Sequence, residues 1–280
     1  MSCKTILVYL NDIARADRLL GVAAALAQKH KAHLVGLAVV PPYVVTPAFD
    51  ATAVSTTIDA HRVAYQTDMA KLKAIFNEAG RRQELSCEWR EADAQFGSAA
   101  ALVIEHARSA DLVVTSQDNA SWSYSTFLEA SDRIVMESGR PVLVVPNSGR
   151  AVMPAKRVLI AWNGRREAAR AAFDAIHLLP HGAEVTVLWV DTSSDPVIAG
   201  EAPGVDLCTT LARHGFKCEA ASAQAPHGDA AEAILREASA RGADLIVMGA
   251  YGHSRFREFI LGGASRDILA RMDRPILMSH

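Results

Sequence analysis

The chain has 280 residues, half of them hydrophobic and 21% charged, with a formal net charge of −2. That length sets a prior of about two domains, and the composition is that of a globular chain with ample apolar material, not of a disordered one. The near-neutral balance lacks the electrostatic footprint of a nucleic-acid binder, since Arg81-Arg82 and Arg165-Arg166 are only pairs. Cys3, Cys87, Cys208 and Cys218 form no C-x-x-C pair, so neither a structural zinc nor a disulfide framework is expected. No apolar run approaches the roughly 18 residues that span a bilayer. The opening Met1-Ser2-Cys3-Lys4 lacks the features of a signal peptide. The expectation is a cytoplasmic protein with no membrane and no nucleic-acid partner.

In chain order, Lys4 to Leu10 reads as a short buried strand closed by Asn11, and an apolar-rich helix follows around Leu19 to Leu26. Pro41 to Ile58, rich in Pro, Thr and Val, reads as an inserted loop suited to a lid or a partner surface. Ala100, Val103, Ile104 and Ala107 follow the i, i+3, i+4, i+7 spacing that puts an apolar stripe on one helix face. Ala110-Asp111-Leu112-Val113-Val114 and Arg140-Pro141-Val142-Leu143-Val144 read as two further strands. The stretch from Pro146 to Pro154, with two prolines and a glycine, suits a linker.

After the linker the pattern returns. Lys156 to Trp162 is again a short apolar run closed by asparagine, and Asn163 lies 152 positions after Asn11. Ala243-Asp244-Leu245-Ile246-Val247 repeats the segment at Ala110, 133 positions on, and Arg274-Pro275-Ile276-Leu277-Met278 repeats the segment at Arg140, 134 positions on. The drop in offset puts about 19 extra residues in the middle of the first copy, at 41–58. Helices are expected at Ala168 to Leu179 and through Ala231, Ile234, Leu235 and Ala238, and strands of the second copy at 157–162, 183–190, 216–223, 244–249 and 275–279. Alternating helices and Val/Ile/Leu-rich strands imply an α/β fold of two tandem five-stranded parallel, doubly wound domains, over 1–148 and 154–280. Ligands in such sheets bind outside the carboxyl ends of the strands, where the strand order reverses.

One loop carries chemistry. Gly249-Ala250-Tyr251-Gly252 is followed, nine residues later, by Gly262-Gly263-Ala264-Ser265 opening a helix expected to run to about Met272. Glycines let a backbone approach a ligand closely, and a helix amino end offers free N–H groups and partial positive charge to an anion. His253, Arg255 and Arg257 add positive charge. The plain alternative is a strand-to-helix turn with Ser265 as a cap. Asp191, Asp195 and Asp229 read as caps and solvated turns, with Asp229 favouring a helix start. Trp162 and Trp189 read as packing residues, with stacking on a base as the sharper alternative, and His280 reads as solvated. No Gly-x-Ser-x-Gly elbow and no Gly-x4-Gly-Lys-Ser/Thr loop occurs, so no catalytic residues and no metal ligands are assigned.

The pattern Gly-x2-Gly-x9-Gly, after an Ala-Asp-Leu-Ile-Val-Met strand and before an Arg-Pro-Ile-Leu strand, resembles the universal stress protein family. The resemblance spans the chain as two tandem domains and is stronger in the second. It implies an adenine-nucleotide-hydrolase-like fold that binds ATP or another adenine nucleotide, with Mg as an accompanying ion. Gly249, Gly252 and Gly262 match the family's phosphate-loop glycines. His253 and Ala264 fall within the same loop segment. Gly263 stands where the family has Ser or Thr, which removes a hydroxyl and keeps the N–H. Ser265 matches a further hydroxyl position. Asn163 stands for an acidic residue that ends the first strand, and its amide can still hydrogen-bond adenine. Val190 matches a position packing against the base, core burial being the alternative.

In the first copy Ser116 and Asn119 replace two of the glycines, and Leu128-Glu129 replaces Gly262-Gly263. Asp118 and Glu129 put carboxylates where phosphates would sit, so this copy is expected not to bind ATP. The resemblance also implies that strands 142–145 and 276–279 pair, making the chain an intramolecular pseudo-dimer, with a homodimer as a further level. The expected function is a nucleotide-binding stress-response sensor or regulator. The alternatives are a nucleotide-independent scaffold and a slow ATP hydrolase.

Overall fold

The computed structural model describes residues 3–42, 51–95, 97–122, 128, 130–191, 203–225, 228–250 and 263–280, with the backbone alone over 51–64. In chain order the elements of the first half are β1 (Thr5–Tyr9), α1 (Ile13–His30), β2 (His33–Val40), α2 (Ala51–Arg82), β3 (Cys87–Asp93), α3 (Ala99–Ala107), β4 (Leu112–Ser116), α4 (Ser131–Glu137) and β5 (Val142–Val145). Those of the second are β6 (Arg157–Trp162), α5 (Arg166–Ile176), β7 (Glu184–Asp191), α6 (Val205–Arg213), β8 (Lys217–Gln224), α7 (Ala230–Ala240), β9 (Leu245–Gly249), α8 (Gly263–Arg271) and β10 (Ile276–Ser279). The strands of the second half fall within one residue of their expected bounds. The inserted stretch differs: from Ala51 it is not loop but the start of α2, which runs unbroken to Arg82. Residues 43–50 lie outside the described ones.

All ten strands form one sheet, in the order β3-β2-β1-β4-β5-β10-β9-β6-β7-β8. The halves join through the expected pairing of strands 142–145 and 276–279. Neighbours run parallel except at the centre, where β5 and β10 are antiparallel. There Leu143 faces Leu277, its own counterpart in the repeat, while Val144 faces Ile276 and Val142 faces Met278. That register is what a pseudo-two-fold axis through the Leu143–Leu277 pair produces. Two hydrophobic cores lie on opposite faces of the sheet, and each runs across the seam: one joins Leu7 and Val144 to Ile246 and Ile276, the other joins Val8 and Leu143 to Val158 and Leu277. The central strands are buried on both faces, whereas the outermost ones, β3 and β8, are largely exposed or half-buried.

The repeated residues do equivalent structural work. Asp111 accepts from the backbone N–H groups of Lys4 (2.6 Å) and Thr5 (2.9 Å). Asp244 does the same for Lys156 (3.1 Å) and Arg157 (3.0 Å). Each carboxylate ties off the start of the first strand of its half. Arg140 donates twice to the Arg108 carbonyl that ends α3, and Arg274 donates to the Ala243 carbonyl just after α7. The linker is fastened too. Gly149 has φ +78°, a Cβ there would come 2.2 Å from the Asp273 carbonyl oxygen, and Arg150 N–H donates to that oxygen.

Gly249 ends β9 against the first turn of α5. A Cβ on it would meet the Ala168 nitrogen and the Glu167 carbonyl carbon at 2.5 Å each. The glycine is therefore required by strand–helix packing, at ordinary negative φ.

Two predictions follow from this packing. Leu143→Ala and Leu277→Ala, both at fully buried positions, should each cost about 2–5 kcal/mol, and by similar amounts, in urea unfolding. Gly249→Ala should lower the unfolding midpoint by the equivalent of about 1–3 kcal/mol, because backbone must move to admit the methyl group.

Candidate functional site

In the second half the chain leaves β6 to form β7 on one side and later returns to form β9 on the other. The strand order therefore reverses between β6 and β9, and doubly wound sheets take their ligands outside the carboxyl ends of the strands at such a point. Trp162 faces Trp189 in the β6–β7 pairing, and Ala161 faces Met248 in the β6–β9 pairing. Asn163, Val190 and Gly249 thus lie along the carboxyl edge of three adjacent strands. Gly263 opens α8, and Ile268 and Leu269 seat that helix in the core against which Val190 packs. Gly252, His253 and Gly262 lie outside the described residues.

Each described residue has a local reason for its state. Asn163 is exposed, and its Oδ1 accepts from Arg165 N–H at 3.1 Å, an Asx turn that leads into α5. Val190 is half-buried. Gly263 and Ala264 are exposed, and a Cβ on Gly263 would meet nothing within 4 Å. Ser265 is only 3% exposed and lies inside the first turn, so it is not the cap of a helix that opens at Gly263. The first turn of α8 carries no acidic residue. Among the described residues, no acidic side chain shares the positive end of this helix dipole, which lies at the switch point.

The surrounding groups are mostly committed. Glu167 is buried beneath the Gly249 contact; burial pushes its carboxyl up, but hydrogen bonds from Arg166 and the backbone outweigh this and hold it below the usual range. His280 is exposed, as expected, yet brings Nδ1 to 3.0 Å from the Ala250 carbonyl. Asp191 accepts from Gln224 Nε2 at 3.1 Å. Asp229 caps α7 through Glu232 N–H at 2.9 Å and takes both its oxygens to Arg271 at 3.0 Å, in line with its expected role. Trp162 packs at the edge of a core. Burial pushes the Cys218 thiol up to about 11, away from nucleophilic thiolate chemistry.

The corresponding switch point of the first half, between β1 and β4, is occupied by the protein itself. Tyr9 Oη donates to the Leu128 carbonyl at 2.8 Å, and Tyr65 Oη approaches the Asn11 carbonyl at 3.5 Å. Burial first, then the neighbouring Tyr65, push the Tyr9 phenol well above its ordinary range. Arg15 is buried, pairs with Asp12 at 2.9 Å and lies 4.9 Å over the Trp122 ring. Asp118 Oδ1 accepts from Ser131 N–H at 3.3 Å, so a carboxylate of the chain sits at the start of α4. Glu129 lies outside the described residues. Sequence reasoning found Asp118 but missed Tyr9, Arg15, Tyr65, Gln117 and Trp122. Tyr9 and Arg15 flank the strand end marked by Asn11, but Tyr65, Gln117 and Trp122 lie far from it in sequence and carried no local signal.

Among the described residues no three His, Cys, Asp or Glu side chains converge as metal ligands, and no helix is long and apolar enough to cross a membrane.

Comparison with known proteins agrees with the fold. Residues 211–280 match the model of the Universal stress protein family. A curated universal stress protein of Synechocystis sp. is 28% identical over 148 residues, 52% of this chain and 49% of that protein, so the chain spans about half the length of the relative it matches. A crystal structure of a universal stress protein from Archaeoglobus fulgidus superposes with a TM-score of 0.68 at 16% identity, covering 98% of this chain and 95% of that one. A putative universal stress protein from Pseudomonas aeruginosa gives 0.55 at 16% identity, covering 99% and 93%. At such identities the structural likeness speaks for the fold alone. Taken together, these comparisons show that residues 211–280 resemble the Universal stress protein family and that the whole chain shares the fold of universal stress proteins.

Proposed function

We propose that the chain is a cytoplasmic stress-response regulator that binds ATP or a related adenine nucleotide, with Mg as the accompanying ion. In this reading residues 154–280 form the nucleotide-binding unit, and residues 1–148 form a degenerate unit that does not bind ATP. The phosphates lie against Gly249, Gly252, His253, Gly262, Gly263, Ala264 and Ser265, and the base lies near Asn163 and Val190. The observation that carries the reading is the amino end of α8, where Gly263 is exposed, a Cβ on it would meet nothing within 4 Å, and no carboxylate shares the first turn. The contrast with α4, whose first N–H is already taken by Asp118, supports the division of labour between the halves. Because Asn163 Oδ1 is held by Arg165 N–H, its amide NH2 is the group left for the base.

A nucleotide-independent scaffold is the second reading. It is favoured by Gly249, since packing against α5 already accounts for that glycine.

Gly263→Asp separates the two readings. The new side chain meets no neighbour, and an acid in the first turn favours the helix dipole, so the urea midpoint should hold or rise slightly. The same carboxylate would repel a phosphate. Calorimetry should show ATP, ADP or AMP binding to the parent protein and a loss of at least tenfold, about 1.4 kcal/mol, in the variant. A parent protein that gives no heat with any of the three nucleotides would decide for the scaffold.

A further inference from the structure

Every polar atom of Gln117 is engaged, and its partners lie in both halves of the molecule. Its backbone N–H donates to the Val145 carbonyl at 2.8 Å. Its own carbonyl accepts from Arg15 Nη1 at 2.9 Å, and Oε1 accepts from Asn147 N–H at 3.0 Å. Nε2 reaches across the seam and donates to the carbonyls of Leu269 (2.7 Å) and Ala270 (3.1 Å). Those two carbonyls belong to the last turn of α8, which a helix cannot satisfy by itself. The residue is 9% exposed, so these bonds are shielded from competing water, and donors at this end also suit the negative pole of the helix dipole.

The arrangement runs one way. Ala250 follows β9 as Gln117 follows β4, and its N–H donates to Ser279 just as that of Gln117 donates to Val145. Ala250 has no side-chain amide to return the contact. The half whose strand ends are covered by its own side chains therefore grips the helix whose first turn carries no acid. The grip is rigid on its own side: Arg15, which holds the Gln117 carbonyl, is itself held by Asp12 and stacked on Trp122.

We propose that Gln117 is a positioning residue for the nucleotide site in the other half, and that through Arg15 it makes Trp122 report occupancy of that site. The inference rests on the nucleotide reading above. Gln117 holds the carboxyl end of α8 at Leu269 and Ala270, and Gly263 lies about 10 Å away at 1.5 Å rise per residue. A nine-residue helix is short and internally hydrogen-bonded, so holding one end sets where the other points. An anion that pulls on the first turn loads the Gln117 amide at the last turn, and from there the Arg15–Trp122 stack. Linkage then requires the reverse: weakening the grip changes nucleotide affinity by the factor with which the nucleotide changes the grip.

The test uses the full chain labelled with 5-fluorotryptophan, the Trp122 resonance being identified by its loss in Trp122→Phe. ATP is titrated by calorimetry and by 19F NMR. The expected result is a heat of binding with a Trp122 shift that follows the same saturation curve. Gln117→Met, close in volume but with no donor, should bind ATP roughly fivefold or more weakly and lose the Trp122 response, with binding referred to the folded fraction. If Gln117→Met fails to fold, Gln117→Asn, too short to reach Leu269 and Ala270, is measured with the same expected outcomes. ATP binding with an unmoved Trp122 resonance, or a Gln117 variant that binds as tightly as the parent, overturns the proposal and leaves the nucleotide reading intact. No heat in the parent protein overturns the nucleotide reading itself.

Discussion

The antiparallel pairing of β5 with β10 is the constraint on which the rest of the molecule depends. Each half of the sheet would otherwise end in a strand with a row of unpaired main-chain donors and acceptors, all four of its residues fully apolar or small and buried. Such an edge invites association with any other strand. Here each edge is completed by the other, and the two cores become continuous across the join. The linker at Gly149, fitted against Asp273, and the Gln117 amide on α8 are possible only because this pairing has brought the halves into fixed register.

Duplication within that frame has left two switch points of the same origin and opposite character. Around β1 and β4 the space is taken by phenols, a guanidinium and an indole, and Asp118 stands at the helix start where an external anion would go. Around β6 and β9 the helix start is bare of acids. The difference comes from a few side chains on a common backbone, which is why fold alone could not assign the chemistry.

Much of the architecture was readable beforehand because it is written in periodicity. The apolar runs at Val158 to Trp162 and Leu245 to Gly249 end where the strands end, and the duplicated Ala-Asp-Leu and Arg-Pro segments mark the same joints in both halves. What could not be read was of three kinds. The helical start at Ala51 was hidden by Thr- and Val-rich composition that favours extended structure, which tertiary context overrode. The need for Gly249 was legible, but its cause was not: a residue spacing cannot distinguish space kept for a phosphate from space kept for the backbone of Glu167 and Ala168. The reach of Gln117 into α8 joins residues about 150 positions apart, a contact that no local pattern encodes.

The two outermost strands carry a consequence of their own. β3 presents Glu88, Arg90, Glu91 and Asp93, and β8 presents Lys217 and Glu219, while the apolar pairing surface is spent at the centre. Charged borders discourage the addition of an eleventh strand. Sheet extension from chain to chain is thereby disfavoured, so the molecule is closed like a finished tile and its helical faces are left as the surfaces open to contact.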